Sequence, residues 1–325
     1  MSRTTSELNA WWAGRVVDEL VRTGVNVVCT ASGSRCSPLT VAAARHPGIT
    51  MVRHVDERGL GYLAVGYARA TGNAAAVVTT SGTAVANLLP AICEADASRL
   101  PLLVLSADRP PELRRTQANQ TLHQPGIFGE RVRWSDDLPC PSDELPMAYL
   151  RGTIDHAVYR ARRAPAGPVH LNLMFREPLS GAADYPADPP PGAPHTTYAA
   201  AGHAPVDATA LLGPLQRGLL VVGELAHDGE RAAACSIAKA LGWPVLADVA
   251  SGLRFGGVPE GLEVSHYDLI LPREALTSRL DGILHLGGRI VSKRLAGALA
   301  ACGSAVRILV ANHPDRHDPA HAVQH

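Results

Sequence analysis

The sequence has little lysine, few aromatic residues and no cysteine motif. Only Lys239 and Lys293 are lysines, and aromatic residues make up 4% of the chain. The 30 basic residues are balanced by 30 acidic ones, so the net charge gives no electrostatic reason to expect a nucleic acid or an acidic membrane surface as a partner. The six cysteines are scattered without a C-x-x-C pair, which favours free thiols over disulfides or structural zinc.

Long apolar runs are also missing. No stretch approaches the roughly 18 consecutive apolar residues of a membrane span, and the N-terminal segment lacks the apolar core of a signal peptide. We therefore expect a soluble, cytoplasmic protein with no membrane association. Apolar residues nevertheless make up 46% of the chain, and 325 residues are enough for two domains with buried cores.

The first half of the chain alternates short apolar runs with helical segments. The predicted strands are residues 25–29, 51–55, 74–79, 102–106 and 169–173. The predicted helices are residues 39–45, 57–71, 84–97 and 144–162. Strands that are apolar on both faces are typical of a parallel sheet covered by helices on both sides. The alternation therefore predicts an α/β fold with a doubly wound parallel sheet.

A proline-rich segment, residues 185–205, interrupts this alternation. Proline restricts the backbone and removes amide donors, so the segment predicts an extended linker. Beyond it, strands are predicted at 219–222, 244–247, 282–286 and 306–310, with helices at 228–241 and 292–301. We expect a first domain over residues 1–182, a linker over 183–206 and a second doubly wound domain over 207–325.

Polar or glycine-bearing turns follow four consecutive predicted strands. They are SGSR at 32–35, DERG at 56–59, TSGT at 80–83 and DRPPE at 108–112. Any one of them is compatible with ordinary helix capping. Because the carboxyl ends of parallel strands meet at one edge of a sheet, where ligands bind in such folds, the four turns together predict a site.

These turns and their flanks carry a family resemblance. The ordered motifs are SGSR, HVDERGLGYLAVG, TTSGTAVANLLPA, SADRPPEL and QANQTLHQPGIFG. Over residues 9–178 the chain resembles the menaquinone-pathway synthases of the thiamine-diphosphate enzyme family, and more weakly again at LGGRIVSKRL and DRHDPAH. The acidic residue and the S-G-T turn are shared by the broad family, whereas ADRPPEL and ANQ are specific to the menaquinone enzymes.

The resemblance implies an activity and its cofactors. Enzymes of this kind are dimeric transferases that decarboxylate 2-oxoglutarate and add the resulting carbanion equivalent to isochorismate, using thiamine diphosphate with Mg²⁺ or Mn²⁺. It also implies that this chain holds the pyrimidine-binding domain and the middle domain of such an enzyme.

Glu57 is the expected catalytic acidic residue. It directly follows the second predicted strand, where a carboxylate can hydrogen-bond N1′ of the aminopyrimidine and favour the imino tautomer that acts as an internal base. The alternative is an acid that stabilises a helix N-terminus through the macrodipole. The flanking motifs favour the cofactor role.

The resemblance assigns further residues. Thr80, Ser81, Gly82 and Thr83 would form the turn against the aminopyrimidine, where glycine permits close backbone approach. The residues expected to contact the substrate carboxylates and the reacting carbons are, in the first domain, Ser34, Arg35, Arg109, Asn119 and Gln120. Of these, Gln120 would be catalytic. The second domain would add Lys293 and Arg294. Each assignment has an alternative without a ligand. These alternatives are a serine N-cap with a surface arginine at 34–35, an exposed loop arginine at 109 and a solvated helix face at 293–294.

The family's Gly-Asp-Gly motif for metal and diphosphate is not found, so we predict no metal ligand in this chain. A diphosphate-binding domain is expected elsewhere. Three interpretations stay open: a truncated synthase that is inert alone, a split-enzyme subunit completed by a separate chain, or a non-catalytic α/β binding or regulatory protein. We also expect an apolar face, with Leu60, Val65, Val85 and Leu88, that drives self-association.

Overall fold

The computed structural model describes residues 3–180, 192–199, 207–271, 279–313 and 317–325. The chain divides into two compact units, residues 1–200 and 201–325. The predicted linker, residues 183–206, lies outside the described residues except for 192–199, so the predicted domain bounds stay predictions.

The first unit contains one sheet of six parallel strands in the order β2-β1-β3-β4-β6-β5. The strands are β1 Val27–Thr30, β2 Thr50–Arg53, β3 Ala75–Thr79, β4 Leu102–Asp108, β5 Trp134–Leu138 and β6 Pro168–Met174. The helices are α1 Thr5–Arg22, α2 Ser37–Arg45, α3 Glu57–Thr71, α4 Thr83–Ala86, α5 Leu89–Ala97 and α6 Met147–Arg162.

Helices cover both faces of this sheet. Along β3, Ala76 and Val78 pack with α1, α2 and α6, whereas the alternate residues Ala75 and Val77 pack with α3 and α5. Every residue of β3, β4 and β6 is therefore buried. This arrangement confirms the predicted doubly wound parallel fold.

Several element bounds differ from the prediction. The predicted helix 84–97 is divided into α4 and α5, because Pro90 in the first turn of α5 cannot donate to a preceding turn. The helix predicted from 144 begins only at Met147, directly after Pro146. Helix α1 and strand β5 were not predicted. A capping box opens α1, in which Thr4 N donates to Glu7 Oε2 at 2.7 Å.

The predicted apolar interaction face is wrong. Leu60, Val65, Val85 and Leu88 are at most 6% exposed and pack between the helices and the sheet of their own unit. An apolar residue that is exposed is Val55, which lies two residues after the end of β2 and is 98% exposed.

Residues 192–199 pack on α1 and α6. The backbone N–H of His195 donates to Glu19 Oε1 at 2.7 Å, and that of Thr196 donates to Asp155 Oδ2 at 2.5 Å. Both carboxyl groups are buried. Burial, with the neighbouring charge of Glu19, raises the pKa of Asp155 to about 6.

The second unit contains four parallel strands in the order β10-β9-β7-β8. They are β7 Gly218–Val222, β8 Val245–Ala247, β9 Gly282–Leu286 and β10 Val306–Val310. The described helices are α7 Thr209–Leu212, α8 Asp228–Leu241, α9 Tyr267–Ile270 and α10 Lys293–Ala301. One face of the sheet packs on α8 and the other on α9 and α10. Within the described ranges, every helix is too short or too polar to cross a bilayer.

Candidate functional site

The polar turns after β1 and β3 touch each other. Strand β1 lies between β2 and β3, so the chain leaves it in one direction and returns on its other side. Such a switch point opens a crevice at the carboxyl edge of the sheet. A Cβ placed on Gly33 would lie 2.2 Å from Cβ of Thr80, so the two turns approach as closely as a glycine allows.

Glu57 is the first residue of α3, next to this crevice. Asp56 is the N-cap, and its Oδ1 accepts a hydrogen bond from Arg58 N at 3.1 Å. Among the described residues, the Glu57 carboxylate has only a long contact, from Asn87 Nδ2 at 3.4 Å. Glu57 is thus not needed as a cap, and its carboxylate keeps capacity to accept a hydrogen bond from a ligand.

Glu57 also lies close enough to the turn after β1 to affect a buried thiol there. Burial raises the pKa of Cys36, and the negative charge of Glu57 raises it further. Cys36 lies directly before α2. Glu57 and the turns after β1 and β3 therefore lie at the same edge of the sheet.

Gly82 forms the turn after β3 in a conformation that requires glycine. Its φ is 83° and its ψ is −143°, and an added Cβ would lie 2.9 Å from Gln120 O. Ser81 and Thr80 are buried, whereas Thr83 is exposed at the start of α4. Gly82 is buried as well, so of these four residues only Thr83 is exposed.

Arg109 and Gln120 pack against this turn. Arg109 Nη1 donates to Ser81 Oγ and to Gln120 O, the latter at 2.7 Å. Gln120 Nε2 donates to Ser81 O at 3.2 Å, from a residue with a φ of 56°. Burial lowers the pKa of Arg109, and the positive charge of Arg35 lowers it further. Arg109 is 8% exposed, so the exposed-loop alternative for it is wrong.

Arg35 is also buried, at 5% exposure, so the surface-arginine alternative is wrong. Its Nη1 donates to Phe175 O at 2.9 Å and its Nη2 to Glu177 Oε1 at 2.8 Å. The Glu177 side chain is 70% exposed. The serine N-cap alternative is wrong too, since α2 begins at Ser37 and Cys36 is its N-cap.

Two predicted site residues stand apart from these contacts. Ser34 and Asn119 are exposed, and their side chains make no hydrogen bond to other described residues. The structure thus brings Arg109, Gln120 and the 80–83 turn into contact, with Arg35 close enough to affect Arg109 electrostatically.

A set of buried polar residues lies behind the Gly82 turn, and none of them was predicted as a site residue. Gln124 accepts a hydrogen bond from Gly82 N at 2.9 Å and donates to Asn172 Oδ1 at 2.8 Å. Asn172 donates to Asp108 Oδ2 at 2.9 Å. Of these residues only Asp108 carried a signal, through its place in the DRPPE turn. In the sequence alone, Gln124 and Asn172 resemble ordinary polar residues of a loop and a strand.

Lys293 and Arg294 are the first two residues of α10 in the second unit, as predicted. Both are exposed. Ser292 caps the helix by accepting from Leu295 N at 3.0 Å, and Arg294 Nη1 donates to Asp268 O at 3.0 Å. Lys293 makes no hydrogen bond or ion pair within the part of the chain that the structure describes.

No group of three or more histidine, cysteine, aspartate or glutamate residues in the described ranges could hold a metal ion. The described edge of the first unit instead combines one open carboxylate, two buried arginines and a glycine turn. Such a set suits an organic ligand with both a ring to hydrogen-bond and anionic groups to neutralise.

Comparison with known families matches both units. Residues 12–127 match the N-terminal thiamine pyrophosphate-binding domain of the thiamine pyrophosphate enzymes. Residues 194–325 match the middle domain of thiamine pyrophosphate enzymes.

Curated relatives match nearly the whole chain. A 2-succinyl-5-enolpyruvyl-6-hydroxy-3-cyclohexene-1-carboxylate synthase from Rubrobacter xylanophilus is 46% identical over 99% of this chain and 58% of its own length. The synthase of the same name from Salinibacter ruber is 45% identical, over 97% of this chain and 56% of its own length. The chloroplastic protein PHYLLO of Arabidopsis thaliana is 38% identical, over 99% of this chain and 20% of its own length. The chain thus spans little more than half the length of the bacterial synthases.

Proposed function

The chain belongs to the thiamine pyrophosphate enzymes, and on that premise we propose that it supplies the pyrimidine-binding half of a 2-succinyl-5-enolpyruvyl-6-hydroxy-3-cyclohexene-1-carboxylate synthase. In this proposal the assembled enzyme decarboxylates 2-oxoglutarate and adds the four-carbon fragment to isochorismate, in menaquinone biosynthesis. The observation that carries it is the contact between Arg109 and the Gly82 turn at the switch point, with Glu57 at the same edge of the sheet. The six free cysteines support the cytoplasm as its compartment.

The residues present fit the aminopyrimidine part of thiamine diphosphate. Glu57 offers a carboxylate with unused acceptor capacity beside the buried Gly82 turn. When bound, the cofactor supplies a thiazolium carbon that stabilises the carbanion left by decarboxylation. The described residues of this chain provide no cluster for Mg²⁺, so we assign the metal and the diphosphate to another domain or a separate chain.

Each residue has a distinct role in this proposal. Glu57 accepts a hydrogen bond from N1′ of the pyrimidine and so fixes the protonation state of the ring. Arg35 and Arg109 bind substrate carboxylates, because a buried guanidinium holds an anion more strongly than an exposed one does. Gln120 is a neutral hydrogen-bonding group beside them, with Ser34 and Asn119 at the exposed rim. Lys293 and Arg294 add positive charge from the second unit.

A reconstitution experiment tests the proposal. This chain is mixed with the separately expressed C-terminal part of the Rubrobacter xylanophilus relative, the part that the chain does not match. We expect carbon dioxide release from 2-oxoglutarate that requires thiamine diphosphate, Mg²⁺ and both chains, and coupled consumption of isochorismate. Glu57→Gln keeps the shape but not the charge, and is expected to lower turnover by roughly 10²–10⁴-fold.

A non-catalytic binding protein is the competing function. It predicts that both chains fold and associate but that carbon dioxide never appears, with ligand binding unchanged in Glu57→Gln. Two buried arginines at the crevice favour the catalytic proposal, since burying a guanidinium is costly and a scaffold has no need of it.

The chain alone should bind thiamine diphosphate weakly, because most of the cofactor's charge lies in the diphosphate. Calorimetry with Mg²⁺ should give no micromolar dissociation constant for the chain alone. Micromolar binding would contradict the assignment of the diphosphate to another domain or chain.

A further inference from the structure

A fully buried glutamine lies directly behind the Gly82 turn. Gln124 is 0% exposed, and its Oε1 accepts a hydrogen bond from the backbone N–H of Gly82 at 2.9 Å. Its Nε2 donates to Ala107 O at 3.1 Å and to Asn172 Oδ1 at 2.8 Å. One donor faces the oxygen and two acceptors face the nitrogen, so the orientation of the amide is fixed and both its polar atoms are used.

Asn172, on β6, extends this contact toward the charged part of the crevice. It is also 0% exposed, and its Nδ2 donates to Asp108 Oδ2 at 2.9 Å. Asp108 Oδ1 accepts the backbone N–H of Arg109 at 2.7 Å. An unbroken path of hydrogen bonds therefore runs from the Gly82 turn to Arg109, through two buried amides and one buried carboxylate.

The Gly82 turn needs such support. Its φ of 83° and ψ of −143° lie where glycine is free to move and other residues are excluded, so its own backbone does little to restrict it. A buried network in which every group is paired is restrictive, because a shift of one member leaves another donor or acceptor unpaired.

We propose that Gln124 is a positioning residue, which with Asn172 and Asp108 holds the Gly82 turn and Arg109 in a fixed relation. The inference rests on the proposed function, in which the turn lies against the aminopyrimidine and Arg109 binds a substrate carboxylate. Gln124 touches neither ligand in this scheme. It sets the spacing between the part of the site that holds the cofactor and the part that holds the substrate.

The same network contains a matched control. Ser106 Oγ donates to Asn172 Oδ1 at 2.9 Å and hydrogen-bonds His170 Nε2 at 2.6 Å. Ser106 is as buried as Gln124, but its branch leads into the core of the unit and not to the turn. Ser106→Ala therefore removes a buried hydrogen bond from the network while leaving the Gly82–Gln124 contact in place.

Amide hydrogen exchange of the full chain, followed at Gly82 by NMR, tests the positioning directly and without any cofactor. In Gln124→Met, which keeps the volume and removes all three hydrogen bonds, we expect Gly82 to exchange on the order of tenfold faster or more, with β3 and β4 amides unchanged. In Ser106→Ala the Gly82 rate should stay within about twofold of the wild-type rate. Equal effects of the two variants, or no effect of Gln124→Met, would overturn the proposal.

Gln124→Glu provides a second variant should Gln124→Met fail to fold. An ionised carboxylate at this position faces two acceptors, Ala107 O and Asn172 Oδ1, and cannot donate to either. The protonated carboxyl donates to one of them and still accepts from Gly82 N–H. We expect protection of Gly82 in this variant to increase on acidification, after correction for intrinsic exchange. If Gln124 only fills space, the protection of Gly82 in this variant should be the same at neutral and at acidic pH.

Turnover in the reconstituted pair separates failure of this inference from failure of the proposed function. We expect Gln124→Met to lower kcat by roughly 10–100-fold, as misplacement of a cofactor or substrate does, and Gln124→Glu to recover kcat toward low pH. An inactive wild-type pair refutes the proposed function, while Gly82 exchange still decides whether Gln124 fixes the turn. An active pair in which Gln124→Met keeps the wild-type kcat refutes the inference alone.

Discussion

Each sheet has a buried aspartate at the carboxyl end of one strand, Asp108 in β4 and Asp248 directly after β8. The cationic residues near the two aspartates differ in their burial. In the first unit, Asp108 accepts the backbone N–H of Arg109 and pairs with Arg114 at 2.8 Å. In the second unit, Asp248 accepts the backbone N–H groups of Val291 and Ser292, at 2.9 and 3.0 Å, just before Lys293. Both aspartates are 0% exposed. Arg109 is buried, whereas Lys293 and Arg294 are exposed.

The difference shows two ways to place a cation at a strand edge. Burying Arg109 requires compensating partners, which the first unit provides through Ser81, Gln120 and the buried network. In the second unit the buried aspartate holds only the backbone before α10, and both cationic residues are exposed, with Arg294 Nη1 donating to Asp268 O. The first edge is therefore organised by its own unit, and the second presents charge for something outside it.

The largest expected difference follows from removing each aspartate's charge. Asp108→Asn weakens the contact of Arg114 with its fully buried partner, although Arg114 keeps its ion pair with Asp137, and we expect the first unit to lose about 2–3 kcal/mol of unfolding free energy. Asp248→Asn weakens only hydrogen bonds to backbone groups, so the second unit should lose about 1–2 kcal/mol. Peptide-resolved hydrogen exchange in a urea series measures each unit separately. Equal losses would remove the distinction between the edges.

Acid should destabilise the first unit more than the second. Burial lowers the pKa of His170 to about 4, from an ordinary 6.5. A depressed pKa gives stability that is full above the unfolded value and lost as pH falls through the folded one. We therefore expect the first unit to lose about 3 kcal/mol between roughly pH 6.5 and 4.

His285 supplies the comparison in the second unit, where burial also lowers the pKa to about 4. His285 is only partly buried, so solvent screening should make its loss smaller. His170→Gln, which stays neutral, should flatten the slope of the first unit only. An unchanged slope in this variant would show that the pKa of His170 is not depressed in the folded unit.

A smaller effect of opposite sign should come from Asp155, beneath residues 192–199. Its pKa is raised to about 6 from an ordinary 3.8, so its contribution to stability is present below the unfolded value and lost as pH rises through the folded one. We expect a loss of about 1 kcal/mol over that window, reduced by sharing of the charge with Glu19. Asp155→Asn should abolish it, most visibly in the His170→Gln background. A pH-independent difference between Asp155→Asn and its parent would contradict the shift.

The smallest expected effect on stability is that of Lys293→Ala combined with Arg294→Ala. Exposed cations contribute little, so the second unit should change by less than about 0.5 kcal/mol. Under the proposed function the same double variant should nevertheless lower turnover of the reconstituted pair. A large loss of stability would mean that these residues support the unit instead of presenting charge.

The sequence predicted the parts of the fold that rest on local pattern. Buried parallel strands are uniformly apolar, so their positions were predicted correctly. The start of α3 at Glu57 was also predicted correctly, because Asp56 and Glu57 follow an apolar strand. Strand β5 was missed because its residues alternate between exposed and half-buried at the edge of the sheet, which leaves no apolar run. The sequence does carry a signal for the start of helix α1, the Thr4–Glu7 capping box.

What the sequence could not supply was burial of particular side chains. Leu60 and Leu88 were expected on an outer face because periodicity identifies an apolar stripe but not the layer that covers it. Gln124 and Asn172 have no pattern at all, since a buried amide differs from a surface amide only through contacts made across the fold. Tertiary packing decides whether these apolar and amide side chains are buried. The contacts of Gln124 connect the Gly82 turn with Arg109 through Asn172 and Asp108.

The contact between Arg35 and Glu177 changes what ligand binding at this edge would involve. Arg35 already holds a carboxylate at 2.8 Å, and the residue that provides it is 70% exposed and can turn into solvent. A substrate anion that reaches Arg35 would therefore replace a resident counter-ion instead of meeting a bare charge. Such an exchange swaps one ion pair for another, so its net electrostatic gain is small. Selectivity would then come from the fit of the remainder of the incoming molecule, and the resident glutamate would keep unrelated anions out.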